Sequence, residues 1–182
     1  MNEWVFKRAV IILFFLSGIF IPPAYLFAEK YNSEKLKFSI DYDENWKYVS
    51  TPEKIVDYTL FCISENCSKD TNIAFGGFYN PKLKNLKVDK FLMAASAHAI
   101  TTNIRPYVKK LKVIREGRVR LGRTKAYEVL MNYEALGRKR TRHTFMTLNK
   151  GYVYNISVHS SPAYYERDIK IAMKVVRTFR FN

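Results

Sequence analysis

The sequence predicts a single α+β domain in which a central antiparallel β-sheet is flanked by helices. Two observations favour this fold class. Segments of alternating apolar and polar residues, which indicate strands, occur on both sides of one helical stretch, and a second amphipathic helix follows the last strand. Such an order of strands, helix, strands and helix is typical of one antiparallel sheet covered by helices.

The N-terminal residues 1–28 have the pattern of a cleavable secretory signal peptide. Lys7 and Arg8 precede an apolar run, Pro22 and Pro23 end it, and Ala28 offers the small residue that a signal peptidase needs. We expect residues 29–182 to form the single exported domain, in the periplasm or secreted. A retained membrane anchor is the competing interpretation, because residues 9–28 are about long enough to span a bilayer.

The first half of the exported chain predicts strands and a local disulfide. Alternating residues predict a first strand and its exit over 35–45. The exit is a turn at 43–45, and a further extended segment follows over 46–49. A hairpin is expected from segments 58–63 and 73–79, with Gly76 and Gly77 marking a bulge or a close backbone approach. Cys62 and Cys67 lie in its loop, and in an oxidising compartment they predict a disulfide.

A helix is predicted to begin at Asp89 and to run to about Ile104, before Pro106. Its apolar face is rich in alanine and should approach the sheet closely; it comprises Phe91, Leu92, Ala95, Ala99 and Ile100. Four consecutive strands should follow as an antiparallel meander, over 111–119, 124–133, 141–148 and 152–158. Gly122, Gly137 and Gly151 fall in the three connections, where turns are required.

The last helix is predicted from a start signal and an apolar stripe. Ser161 can act as its N-cap, Pro162 fits the first helical position, and Glu166 lies where the helix dipole favours an anion. The stripe recurs at helical spacing and consists of Tyr165, Ile169, Ala172, Met173 and Val176. We expect this stripe to cover the sheet that contains the preceding strand.

Three stretches make the chain resemble the PsbP family, the extrinsic photosystem II proteins and their bacterial relatives. Segment 38–46, Phe-Ser-Ile-Asp-Tyr followed by Trp46, resembles the opening motif of the family, with Asp43 in place of a proline. Segment 122–127 resembles the mid-domain glycine turn, with Lys125 in place of a proline, and segment 176–180 resembles the closing helix end.

The resemblance implies a PsbP-like α/β/α sandwich, which is a central antiparallel sheet between helical layers, without a family-wide catalytic site. Members act as assembly or stabilising factors, and some photosynthetic members influence the retention of calcium, chloride or manganese. The resemblance therefore implies a non-catalytic accessory domain, not an enzyme, that engages a protein partner at the cell envelope. We predict no cofactor for this chain.

Basic residues give the sequence its most specific chemical feature. The chain has 31 Lys and Arg against 16 Asp and Glu, a net charge of +15, which promotes contact with anionic surfaces or simply keeps an exported protein soluble. The meander carries a tentative ligand-binding patch of Arg115, Arg118, Arg120, Arg138, Lys139, Arg140 and Arg142. Arginine forks suit phosphate or carboxylate groups. The alternative function is thus binding of anionic lipid head groups or polysaccharide, with peripheral membrane contact; nucleic acid is not expected, and the oligomeric state stays open.

Catalytic and metal-binding motifs are weak. His98, His143 and His159 stand in no recognised motif, so an unrecognised hydrolase is the weakest hypothesis. Asp41, Asp43 and Glu44 offer oxygen ligands, but without the glycine bend of a calcium loop they indicate a solvated turn, and we predict no metal site. A buried histidine bonded to a carboxylate at the floor of a pocket would favour catalysis.

Overall fold

A computed structural model of the chain describes residues 29–49, 56–94, 97–102 and 104–182. The predicted signal peptide lies outside the described residues, so its cleavage stays a prediction. Across the described ranges, no helix has both the length and the apolar character that crossing a membrane requires.

The described strands and helices follow the predicted order. The strands are β1 (Glu29–Ser33), β2 (Phe38–Tyr42), β3 (Trp46–Tyr48), β4 (Val56–Cys62), β5 (Asn72–Tyr79), β6 (Lys109–Leu121), β7 (Thr124–Ala135), β8 (Arg138–Asn149), β9 (Tyr152–Ser160) and β10 (Arg180–Phe181). The α-helices are α1 (Val88–Ala94), α2 (Ala97–Thr101) and α3 (Tyr165–Val176). Short 3-10 helices lie at Pro81–Leu83 and Arg105–Tyr107.

The larger sheet is antiparallel, with strand order β3-β4-β5-β9-β8-β7-β6. The β4–β5 hairpin and the β6–β9 meander are both confirmed. All three connecting glycines have positive φ, at 58° for Gly122, 72° for Gly137 and 87° for Gly151. A residue without Cβ adopts this conformation without strain, which is why each strand can turn back onto its neighbour within two residues.

The predicted first strand belongs to a different sheet from the meander. β2 pairs with β1 and β10 in a separate three-stranded sheet. The sequence did not predict β1, because Glu29–Ser33 is polar and has no apolar alternation. This small sheet and α3 cover one face of the large sheet, and α1 and α2 lie against the other, so the α/β/α sandwich is confirmed.

Helix α3 carries the predicted stripe but not the predicted cap. Tyr165, Ala172 and Val176 are buried, and Ile169 and Met173 pack on the core at its edge. The N-cap is Tyr164, with no side-chain cap bond, so the Ser161 prediction is wrong. The carbonyl of Ser161 instead accepts a hydrogen bond from the Tyr164 N–H at 3.1 Å, and this turn delays the start of the helix.

The predicted helix over 89–104 is described as two segments, α1 and α2, and the second ends at Thr101. Ala95 and the side chains of Leu92 and Ala99 lie outside the described residues. Ala97, which was not part of the predicted face, is buried against Val129 and Met131 of β7, and Ile100 of the predicted face packs against the same cluster.

The loop that bears the cysteines is tied to α3 by one carboxylate. Cys62 and Cys67 form a disulfide with their Cα atoms 6.5 Å apart. Asp168 of α3 is 0% exposed and accepts four hydrogen bonds, two of them from the loop that follows Cys67. The donors are Thr71 Oγ1 at 2.6 Å, Ser160 Oγ at 2.6 Å, Ser68 N at 3.2 Å and Arg167 Nε at 3.2 Å. Burial alone raises the pKa of Asp168, but these bonds together outweigh it and lower the pKa.

Gly77 marks the close backbone approach that the sequence predicts. A Cβ at Gly77 would lie 2.2 Å from the carbonyl oxygen of Val153 on β9. Beside it, Gly76 pairs with Val56, where the β4–β5 register is irregular. The two glycines thus serve both of the predicted purposes.

Candidate functional site

The β7–β8 turn forms one wall of a cleft of about 430 Å³ at one end of the large sheet. Its register places Arg138 opposite Ala135 and Arg140 opposite Tyr133. Residues that alternate along a strand share a face, so both arginines project to the same side. We name this space the hairpin cleft; it is lined by Phe61, Lys69, Asp70, Asn72, Tyr133, Ala135, Leu136, Arg138, Arg140 and His159.

A single carboxylate partly balances the two arginines of the hairpin cleft. Arg140 Nη1 lies 3.0 Å from Asp70 Oδ2, and Arg138 Nη1 lies 4.0 Å from Asp70 Oδ1. The side chains of Arg138 and Asp70 are 70% and 42% exposed, so water screens their attraction strongly. One carboxylate balances the charge of one guanidinium, so the two arginines leave the hairpin cleft with an excess of positive charge.

His159 lies inside β9, which continues two residues beyond the predicted strand end at 158, and it lines the hairpin cleft. Burial, followed by the positive charges of Arg142 and Arg140, lowers the pKa of His159 to about 3. The imidazole is therefore neutral near pH 7 and adds no charge to the cleft.

The remaining basic residues of the predicted patch lie elsewhere. Arg118 pairs with Tyr127 on β7, eight residues from Ala135, which corresponds to about 26 Å along the strand. Arg120 lies at the same distant end. Arg115 and Lys139 alternate onto the opposite face. The structure therefore divides the predicted patch and keeps only Arg138 and Arg140 in the hairpin cleft.

Arg142 lies on the cleft's face of β8 but is engaged within the sheet. Its Nε donates to Thr144 Oγ1 at 3.0 Å, and its Nη2 donates to Ser157 Oγ at 2.9 Å. These contacts hold the guanidinium between β8 and β9, where its charge acts on His159 rather than on a ligand.

A second cleft, of about 310 Å³, contains a buried histidine and carboxylate pair between α3 and strands β6–β8. His143 Nε2 lies 2.7 Å from Glu128 Oε2, and His143 Nδ1 lies 2.9 Å from the Tyr165 hydroxyl. Arg115 Nε in turn lies 3.0 Å from Glu128 Oε1. Arg115, Glu128, His143 and Tyr165 thus form a continuous polar chain that joins β6, β7, β8 and α3.

The two hydrogen bonds at His143 determine which ring nitrogen carries the proton. A carboxylate only accepts, so Nε2–H of a neutral ring donates to Glu128, and Nδ1 then accepts from the Tyr165 hydroxyl. Burial lowers the pKa of His143, with Glu128 opposing it, and burial raises the pKa of Tyr165 to about 12. The arrangement joins α3 to the sheet, and it is the kind of buried histidine and carboxylate pair in a cleft that would favour catalysis.

The buried neutral state of His143 predicts a pH dependence of stability. Below the ordinary histidine pKa of about 6.5 the unfolded chain binds a proton that folded His143 resists, so stability falls as pH falls. We expect His143→Gln, which does not titrate, to lose less stability between pH 7 and pH 5. Urea midpoints at both pH values measure this; equal losses in the two proteins would contradict it.

The carboxylates proposed as oxygen ligands are used within the fold. Asp41 pairs with Arg180, and Asp43 Oδ1 accepts from the backbone N–H of Asn45 at 3.0 Å. Over the ranges given above, no group of three or more His, Cys, Asp or Glu side chains is placed to hold a metal ion.

Comparison with known proteins identifies the fold. No family model matches the sequence, and no curated protein matches it. The solution structure of cyanobacterial PsbP (CyanoP) from Synechocystis sp. PCC 6803 superimposes with a TM-score of 0.60 at 13% identity, over 85% of this chain and 92% of that one. The chain has a PsbP-like fold.

Two other solved structures share the PsbP-like fold. LpqN, involved in cell envelope biogenesis of Mycobacterium tuberculosis, matches with a TM-score of 0.52 at 11% identity, over 80% of this chain and 83% of that one. A crystal structure from Bacteroides thetaiotaomicron VPI-5482 matches with a TM-score of 0.57 at 14% identity, over 85% of this chain but 48% of that one. At such identities the likeness shows the fold alone.

The residues that carry the PsbP-like resemblance lie in the core. Phe38, Ile40, Tyr42, Trp46 and Phe179 are all at most 4% exposed. They determine packing between β2, α3 and the large sheet, which explains why the motif predicts the fold and leaves the binding site open.

Proposed function

We propose that the protein is a non-catalytic accessory domain of the cell envelope that binds a partner bearing phosphate or carboxylate groups in the hairpin cleft. One observation carries the proposal: Arg138 and Arg140 face the same cleft and share a single, solvent-screened carboxylate, Asp70. An envelope protein with acidic side chains and a lipid or polysaccharide surface both offer the required chemistry.

Two further features support a binding role over a catalytic one. The hydroxyl that donates to His143 belongs to Tyr165, and burial raises its pKa to about 12, so it keeps its proton near pH 7 and is not an activated nucleophile. LpqN, which has the same fold, is involved in cell envelope biogenesis, and we extend an envelope setting to this chain as part of the proposal.

Removing the two cleft arginines tests the proposal. We expect Arg138→Ala with Arg140→Ala to weaken heparin binding by about thirtyfold, because each cation facing an anionic surface contributes about 1 kcal/mol. Affinity measured against salt concentration provides the readout, and the variant should also show a shallower salt dependence.

The matched control is Arg118→Ala with Arg120→Ala, which removes the same charge from the same sheet face about 26 Å away. We expect its heparin affinity to fall by less than threefold, since charges beyond a Debye length are screened. Equal weakening in the two double variants would show that net charge alone drives binding, and would overturn the assignment to the cleft.

A further inference from the structure

The turn at the rim of the hairpin cleft contains a residue that fits neither its backbone nor its surroundings. Leu136 and Gly137 are the two central residues between the paired Ala135 and Arg138, with φ of 51° and 72°. Two positive φ values define a type I′ turn, which favours Asn, Asp or Gly at its first central position. Leu136 has a strained conformation for a branched side chain and is nevertheless fully exposed, at 102%.

The opposite end of β8 offers an internal comparison. Lys150 and Gly151 form the equivalent two-residue turn between Asn149 and Tyr152, with φ of 48° and 87°. There the same backbone conformation carries a polar, exposed side chain, as expected for a solvated turn. The leucine at position 136 is therefore not required by the turn itself, and a local conflict of this kind at the surface indicates a functional position.

Aromatic and basic residues lie at the same end of the sheet as Leu136. Tyr107 is 81% exposed and lies two residues before Lys109, whose partner on β7 is Glu134. Lys69 and Arg138 border the adjoining cleft. An exposed apolar side chain at the tip of a turn, with an aromatic residue and cations at the same end of the sheet, suits an anionic bilayer, in which acyl chains lie beneath phosphates.

We propose that the Leu136–Gly137 turn is a membrane-docking tip, which places the Leu136 side chain in the acyl region of an anionic bilayer while Arg138 contacts lipid phosphates. The proposal rests on the proposed function in one respect, the binding of anionic groups at the hairpin cleft. It names the source of those groups as lipid. A projecting turn suits a fluid bilayer, because the acyl chains can rearrange around the Leu136 side chain and no preformed pocket is needed.

The variant Leu136→Asn separates insertion from charge. Asparagine tolerates the left-handed conformation, so the melting temperature should stay equal or rise and unfolding cannot account for lost binding. We expect binding to phosphatidylglycerol vesicles to weaken about tenfold, from the loss of leucine burial, while heparin binding stays unchanged. Cosedimentation of the full chain, with the same residues 1–28 in every variant, measures the first and salt elution the second.

A tryptophan substitution reports insertion directly. Leu136→Trp should shift its fluorescence to the blue with phosphatidylglycerol vesicles and not with heparin. The control Lys150→Trp, in the equivalent turn at the other end of β8, should show no shift. Unchanged vesicle binding in Leu136→Asn, or equal shifts at positions 136 and 150, would overturn the docking tip. The proposed function fails separately, if Arg138→Ala with Arg140→Ala leaves heparin binding intact.

Discussion

Replacing Asp168 by alanine is expected to lower the free energy of unfolding by about 4 kcal/mol, the largest loss from one polar side chain in this fold. The carboxylate is fully buried and accepts from the hydroxyls of Thr71 and Ser160 and from the backbone of Ser68. Alanine leaves these donors unsatisfied and releases the cysteine loop from α3. Urea denaturation followed by circular dichroism measures the loss.

A neighbouring carboxylate provides the control. Glu166→Ala, on the exposed side of the same helix, should cost about 0.5 kcal/mol, the value of one charge near a helix start. The lowered pKa of Asp168 makes the free energy of unfolding depend on pH. The stabilisation by this carboxylate is present above its unfolded pKa and is lost as pH falls through its folded pKa. Asp168→Asn should therefore flatten the acid limb of the stability curve. A loss in Asp168→Ala no larger than that in Glu166→Ala would contradict the anchoring role.

Gly77→Ala should destabilise the domain by about 3 kcal/mol or more, the second large effect. The added Cβ would lie 2.2 Å from the carbonyl oxygen of Val153, a backbone atom that moves only if the β5–β9 pairing shifts. The same denaturation measurement applies.

Gly117→Ala is the matched control, because a Cβ at that position on β6 meets no atom within 4 Å. Gly117→Ala should be neutral or slightly stabilising, because alanine lowers the conformational entropy of the unfolded chain. If the two substitutions had the same effect, the close approach of β5 and β9 would not be a constraint on residue 77.

The sequence predicted the parts of the fold that depend on neighbours along the chain. The meander followed from glycines at the turns, and the α3 stripe followed from helical spacing. The prediction missed β1, which forms because it pairs with β2, although its own residues have no apolar alternation. The Ser161 cap failed for a local reason, since a turn closed by the Tyr164 N–H and the Ser161 carbonyl precedes the helix, which begins at Tyr165.

The candidate site was predicted only in part. Arg138 and Arg140 lie two residues apart on one strand, and strand alternation alone places them together. Asp70, their partner in the hairpin cleft, comes from a different hairpin, so no spacing in the sequence relates it to the two arginines. In the second cleft, Glu128, His143 and Tyr165 likewise come from three separate elements. Arg115 and Arg118 were grouped with the patch because they lie on a neighbouring strand of the meander, but the register irregularity between Val113 and Arg115 turns Arg115 to the other face, and Arg118 lies far along the strand.

The order of strands in the large sheet has a consequence for how the chain acquires its structure. β5 pairs with β9, so the centre of the sheet joins the first half of the chain to its last third. Such distant pairing slows folding, because a long loop must close before any contact offsets its entropy. The β5 edge of the β4–β5 hairpin therefore stays unpaired until the last third of the chain has been synthesised.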